Sequence, residues 1–154
     1  FKNITVKNNL FEYCSWAFEW WIASEKHIVE NIEINGNIMR FSGFGIAGDK
    51  RHPSHIRGPW VTQNFRITDF KIIGNTFDLT NGSFYAWTLP YDVQPGHTVR
   101  GNYYYQGRVF SSKKVPYTAF GTENAFKYAD SLQELRTAVE SIDAEPAEIL
   151  WLEN

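Results

Sequence analysis

NIEINGNIM, residues 31–39, is one of four versions of a single phrase. NITVKNNLF precedes it at 3–11, and DFKIIGNTF and GHTVRGNYY follow at 69–77 and 96–104. Aligned on the final asparagine, the copies put Asn9, Asn37, Asn75 and Asn102 in one column, with steps of 28, 38 and 27 residues. Two near-equal periods around a longer one read as a repeat with a loop inserted in one copy.

The columns give each copy a local structure. Five and three places before the asparagine stand Ile4 and Val6, Ile32 and Ile34, Phe70 and Ile72, His97 and Val99. That alternation, rich in β-branched residues, marks a half-buried strand. Directly before the asparagine come Asn8, Gly36, Gly74 and Gly101, the residue types that tolerate positive φ. Two places after it, Phe11, Met39, Phe77 and Tyr104 resume an inward row. Each copy therefore reads as strand, left-handed bend, inward asparagine, strand. Stacked asparagines can satisfy one another as a ladder along the axis. The expected fold is an all-β solenoid; leucine-rich repeats share the period but need a leucine scaffold absent here.

Composition bounds the rest. The 154 residues suffice for one domain with a packed core. With 15 Lys and Arg against 17 Asp and Glu, the chain lacks the basic excess of a nucleic-acid binder. No apolar run approaches membrane-spanning length, so no membrane partner is expected. The single cysteine, Cys14, excludes a disulfide framework and a cysteine metal cluster. Aromatic residues make up 17% of the chain, six of them Trp, and supply flat faces for packing or for ligands.

The I-x-I-x-G-N-x-F phrase resembles the coils of right-handed parallel β-helix proteins with the pectin-lyase-like fold, over about residues 1–110. The resemblance implies a right-handed parallel β-helix of about four coils, residues 1–112, followed by a C-terminal segment, 113–154, with a docking helix. Proteins of that fold include polysaccharide lyases, glycoside hydrolases, esterases, phage tailspikes and non-enzymatic surface proteins, so the fold alone does not give the activity. FKNITVKNN opens inside a repeat, and further coils upstream are expected as partners. In the C-terminal segment, Ser131 and Glu134 form an S-x-x-E capping box, with Leu132, Leu135, Ala138, Val139 and Ile142 on one helical face. Beyond Pro146, AEILWLEN can return as a strand.

Several residue groups carry chemistry. GFGIAG at 43–48 satisfies G-x-G-x-x-G, but Pro53, Gly58 and Pro59 prevent the helix that a dinucleotide site needs, and no cofactor is expected. The inserted loop, GFGIAGDKRHPSHIRGPW, gathers Asp49, Lys50, Arg51, His52, His55 and Arg57 ahead of Trp60. It reads either as a solvated surface loop or as a functional loop held by a rigid scaffold. In the second reading Arg51 or Arg57 grips the carboxylate of an acidic sugar while His52 or His55 moves a proton. Gly43, Gly45, Arg51, Pro53, His55, Ile56 and Gly58 also resemble a segment of uncharacterised bacterial β-helix proteins placed among carbohydrate-active enzymes. Asp49, His52 and His55 offer D-x-x-H-x-x-H, but without helical geometry no metal site is expected.

In CSWAFEWWIASEKH, Trp16, Phe18, Trp20 and Ile22 alternate with Ala17, Glu19, Trp21 and Ala23. One set is core; the other would expose Trp21 beside Glu19, where an indole can pack on sugar C–H faces and a carboxylate can act as acid or base. The plainer alternative is that the tryptophans fill a wide coil. Tyr85, Trp87, Tyr91 and Asp92 occupy a comparable arc. Hydrolysis requires two spaced carboxylates, and Glu12, Glu19, Asp49, Asp78 and Asp92 are candidates. The paired aspartates with G-H-G and R-I-K of polygalacturonases and the R-x-P-x-x-R motif of pectate lyases are absent. The functional expectation is an extracellular bacterial protein acting on polysaccharide or oligosaccharide as glycoside hydrolase or lyase. The rival is a non-catalytic glycan-binding or surface scaffold.

Overall fold

A computed structural model describes residues 1–14, 17–19, 28–40, 56–57, 66–79, 87–88, 98–107, 115–116, 128–129, 131–140 and 143–152. Its strands are β1 (Lys2–Lys7), β2 (Leu10–Glu12), β3 (Phe18–Glu19), β4 (Ile28–Asn35), β5 (Ile38–Arg40), β6 (Ile56–Arg57), β7 (Arg66–Ile73), β8 (Thr76–Leu79), β9 (Trp87–Thr88), β10 (Thr98–Arg100), β11 (Tyr103–Gly107), β12 (Val115–Pro116), β13 (Tyr128–Ala129) and β14 (Glu148–Leu152). One helix, α1, spans Leu132–Glu140.

The strands form parallel sheets whose order follows the repeat. The first sheet runs β1-β4-β7-β10, the second β14-β11-β8-β5-β2, and a third of two-residue strands runs β3-β6-β9. Every pair in these sheets is parallel, while β12 and β13 pair antiparallel. Each repeat gives one strand to the first sheet, bends, and gives the next strand to the second. This stacking is compatible with a β-solenoid-like fold.

The register matches the alignment. Ile4 pairs with Ile32, Ile32 with Phe70, and Ile72 with Val99. The longer repeat gains its residues between β5 and β6: Asn37 to Arg57 spans 57 − 37 = 20 positions, against 19 − 9 = 10 from Asn9 to the register partner Glu19. The bend residues Asn8, Gly36, Gly74 and Gly101 have φ of 57°, 63°, 61° and 67°. Glycine removes the Cβ penalty there, and at Gly36 an added Cβ would also lie 2.6 Å from Asn8 Oδ1.

The core takes in the predicted inward columns of the second to fourth copies, except His97, which lies outside the described residues, while Ile4, Val6 and Phe11 of the first copy are half-buried. Ile32, Ile34, Met39, Phe70, Ile72, Phe77 and Tyr104 are at most 2% exposed. Phe77 and Tyr104 stack with centroids 5.6 Å apart, a contact worth roughly 0.5–1.5 kcal/mol beyond burial.

A second left-handed column opens each phrase, six residues before the ladder. Asn3, Asn31 and Asp69 have φ of 56°, 55° and 53°. The kink breaks strict alternation, so that Val29 and Ile32, three apart, are both buried. Asn31 Nδ2 donates to Asn3 Oδ1 at 2.8 Å on the outside, forming a shorter exposed counterpart of the inner ladder.

At the far end the tail returns as predicted: β14 joins β11 in parallel. Ser131 Oγ accepts the Glu134 N–H at 3.2 Å, which is the serine half of the capping box. Leu135 and Val139 are buried, and α1 packs against β13 and β14. Leu132, expected on that face, is 37% exposed; among the described side chains of the face, the Leu135–Val139 pair, one helical turn apart, turns fully inward. Ala138 and Ile142 lie outside the described side chains.

Candidate functional site

Two surfaces follow from the register. The first is the outer surface of the second sheet. Since Tyr104 points inward, alternation turns Tyr103 and Tyr105 outward, about 6.7 Å apart along the strand. One outward row runs Leu10, Ile38, Thr76, Tyr103 and Glu148. Beside it, Glu12 is in register with Arg40, and Asp78 with Tyr105 and Leu150. Leu10, Ile38, Tyr103 and Leu150 are exposed.

The polar groups of this surface are held in place. Arg40 Nε pairs with Glu12 Oε1, so this guanidinium is committed to a carboxylate. The Tyr105 hydroxyl donates to Glu148 Oε2 at 2.8 Å. That hydrogen bond, with burial and the nearby negative charges of Glu148 and Asp78, raises the Tyr105 phenol above its ordinary pKa. The phenol thus stays a proton donor at neutral pH, and its ring is fixed by its own hydroxyl. The result is an outer surface that carries two tyrosines, with Asp78 and Glu148 beside them. Rings of this kind pack against sugar C–H faces, and carboxylates accept hydrogen bonds from hydroxyls.

The second surface is the third sheet, which contains three of the candidate site residues, Glu19, Arg57 and Trp87. Glu19 and Arg57 are register neighbours, and Trp87 pairs with Ile56, one position from Arg57. The backbone therefore places Glu19 and Arg57 at one register position, which Thr88 shares on the third strand, while Trp87 belongs to the neighbouring position with Phe18 and Ile56. His52, His55, Asp49, Arg51, Lys50, Trp21, Trp60 and Tyr85 lie outside the described residues. So do Trp16, Trp20, His27, Tyr91 and Asp92. Among the described residues, no group of three His, Cys, Asp or Glu could hold a metal ion.

The inner ladder contains one residue that the sequence reading missed. Asn9 donates through its backbone N–H and Nδ2 to Asn37 Oδ1, both at 3.0 Å. Asn37 does the same to Asn75, and Asn75 to Asn102. Asn102 then donates to Asp143 Oδ2, at 3.1 Å from N and 2.9 Å from Nδ2. Asp143 is fully buried and also accepts from the Tyr104 hydroxyl, Gly101 N–H and Glu145 N–H. A carboxylate only accepts, so the ladder stops there.

Comparison with family models, with curated proteins and with solved structures finds no match to this chain.

Proposed function

We propose that the chain forms coils of a right-handed parallel β-helix that binds polysaccharide along the outer surface of its second sheet. The observation that supports this is the Tyr103–Tyr105 pair, two outward tyrosines on one strand with Asp78 and Glu148 beside them. A repetitive surface suits a polymer with repeating units. The flanking carboxylates favour a neutral, hydroxyl-rich glycan, since an acidic one would meet like charge. An extracellular bacterial setting comes with the β-helix resemblance, and polysaccharide of this kind is met outside the cell.

Cleavage is the second reading, and one observation favours it: a carboxylate residue, Glu19, and a guanidinium residue, Arg57, are in register on neighbouring strands. In that reading Glu19 serves as acid or base in glycoside hydrolysis or uronate elimination, and Arg57 holds a substrate anion.

Affinity electrophoresis of the chain in gels containing neutral or acidic polysaccharides tests both readings. Retardation by a neutral glycan that Tyr103→Ala and Tyr105→Ala each abolish, with unfolding unchanged, is the expected result. Equal retardation of wild type and both variants would remove the binding site from this sheet. Release of reducing ends or of unsaturated uronate, lost in Glu19→Gln, would establish cleavage instead.

A further inference from the structure

The ladder has a direction, and its open end is chemically specific. At Asn37, Asn75 and Asn102 the side-chain oxygen accepts two hydrogen bonds, from the backbone N–H and the Nδ2 of the preceding asparagine. Asn9 Oδ1 is the same acceptor one coil earlier, and no described residue donates to it. The backbone shows the same vacancy. Ile38 N–H donates to Asn9 O, Thr76 N–H to Asn37 O, and Tyr103 N–H to Asn75 O. Leu10 stands in their column without such a partner among the described residues. The apolar columns agree: Ile4, Val6 and Phe11 are only half-buried, while Ile32, Ile34 and Met39 above them are at most 2% exposed.

We propose that the Asn9 end of the stack is a docking surface for a further parallel β-coil that carries an asparagine at a left-handed bend. The required partner can be written atom by atom. Its asparagine N–H and Nδ2 donate to Asn9 Oδ1, and its asparagine carbonyl accepts from Leu10 N–H. Apolar residues five and three places before that asparagine, and two places after, cover Ile4, Val6 and Phe11. Aspartate in the same place fails, because it keeps the backbone N–H but replaces the Nδ2 donor by a carboxylate oxygen, an acceptor set against the Asn9 Oδ1 acceptor. This also excludes the opposite end of a second copy, where the ladder finishes on Asp143 with its oxygens already engaged by five donors. The partner therefore has this chain's own repeat pattern, and the mode is strand addition to an open sheet edge. The inference is independent of the glycan reading.

The test tethers NIEINGNIMR, residues 31–40 of the chain itself, ahead of Phe1 through a flexible Gly/Ser linker as long as the arc from Glu12 to Ile28. Such a linker supplies the segment at roughly millimolar effective concentration. Amide exchange at Leu10 is expected to slow about tenfold when that concentration is ten times the docking Kd. The Asn9 side-chain amide should shift at the same time. In a matched fusion whose segment carries Asn37→Asp, both effects should vanish. Equal protection by both segments would reduce the contact to unspecific apolar cover. No protection by either, or concentration-dependent burial of Leu10 in the untethered chain through self-association, would also overturn the assignment.

Discussion

Replacing Asn75 by leucine should cost more than the same change at Asn37, although the two positions look equivalent in the sequence. Asn75 is fully buried and its Oδ1 accepts from Asn37 N–H and Nδ2, while its own Nδ2 donates to Ile34 O at 2.8 Å. Leucine leaves two donors and one carbonyl short of a partner, inside the core. At roughly 1–3 kcal/mol for each buried group left unsatisfied, and with partial relaxation, the loss is about 3–6 kcal/mol. At Asn37 the orphaned donors belong to Asn9, which is exposed and can turn to water, leaving mainly Val6 O without its donor. That loss is about 1–3 kcal/mol. Equilibrium urea unfolding followed by circular dichroism measures the difference. With a slope of about 1–3 kcal/mol/M, the two variants should differ by on the order of 1 M in midpoint. If Asn75→Leu leaves too little folded protein, the same comparison is made in sucrose, which favours the compact state. An Asn75→Leu midpoint equal to or above that of Asn37→Leu would refute the ladder as a buried hydrogen-bond chain.

Asp143→Asn should destabilise by roughly 2–4 kcal/mol in the same assay, because either orientation of the amide turns its NH2 toward at least two donors; a neutral result would show that the carboxylate is dispensable. Tyr105 has a raised folded pKa, so its contribution to stability is fully present below the usual value near 10.0 and is lost as pH rises through the folded value. The phenolate absorbance of wild type minus that of Tyr105→Phe should therefore titrate above pH 10.0, and a difference curve centred at or below it would contradict the Glu148 hydrogen bond.

The repeat was legible because backbone geometry restricts what can stand at its bends. Gly36, Gly74, Gly101 and Asn8 announce left-handed residues, and the asparagine beside each fixes the column. The outer kink was equally visible in principle, since Asn3, Asn31, Asp69 and Gly96 begin the four phrases. Asp143 was not: Pro146 and Ala147 occupy the place of bend and asparagine in the last coil, and the acceptor comes from upstream, outside any alignment. Tyr104 was read as inward, yet the outward surface its neighbours create depends on β8 and β14 lying on either side. The Glu19–Arg57 pairing has no constant offset from the ladder. The register partners stand 19 − 9 = 10, 57 − 37 = 20 and 88 − 75 = 13 positions after their asparagines. Lateral arcs vary in length, and no periodicity reports their register.

The one-way donation along the asparagines has an electrostatic consequence. One Nδ2–H of each asparagine points along the row toward Asp143 while the other goes to a strand carbonyl, so one amide N–H per rung is aligned head to tail, as peptide groups are in a helix. The row thus acquires a positive pole, and the carboxylate of Asp143 sits on it. The favourable place for an anion on such an array is at the donor end, as at a helix N-terminus. Mutual polarisation strengthens aligned hydrogen bonds, by about 10–30% each in the condensed phase. A charge at one pole is therefore felt four rungs away, where Asn9 presents the opposite pole, electron-rich, to whatever meets the first coil.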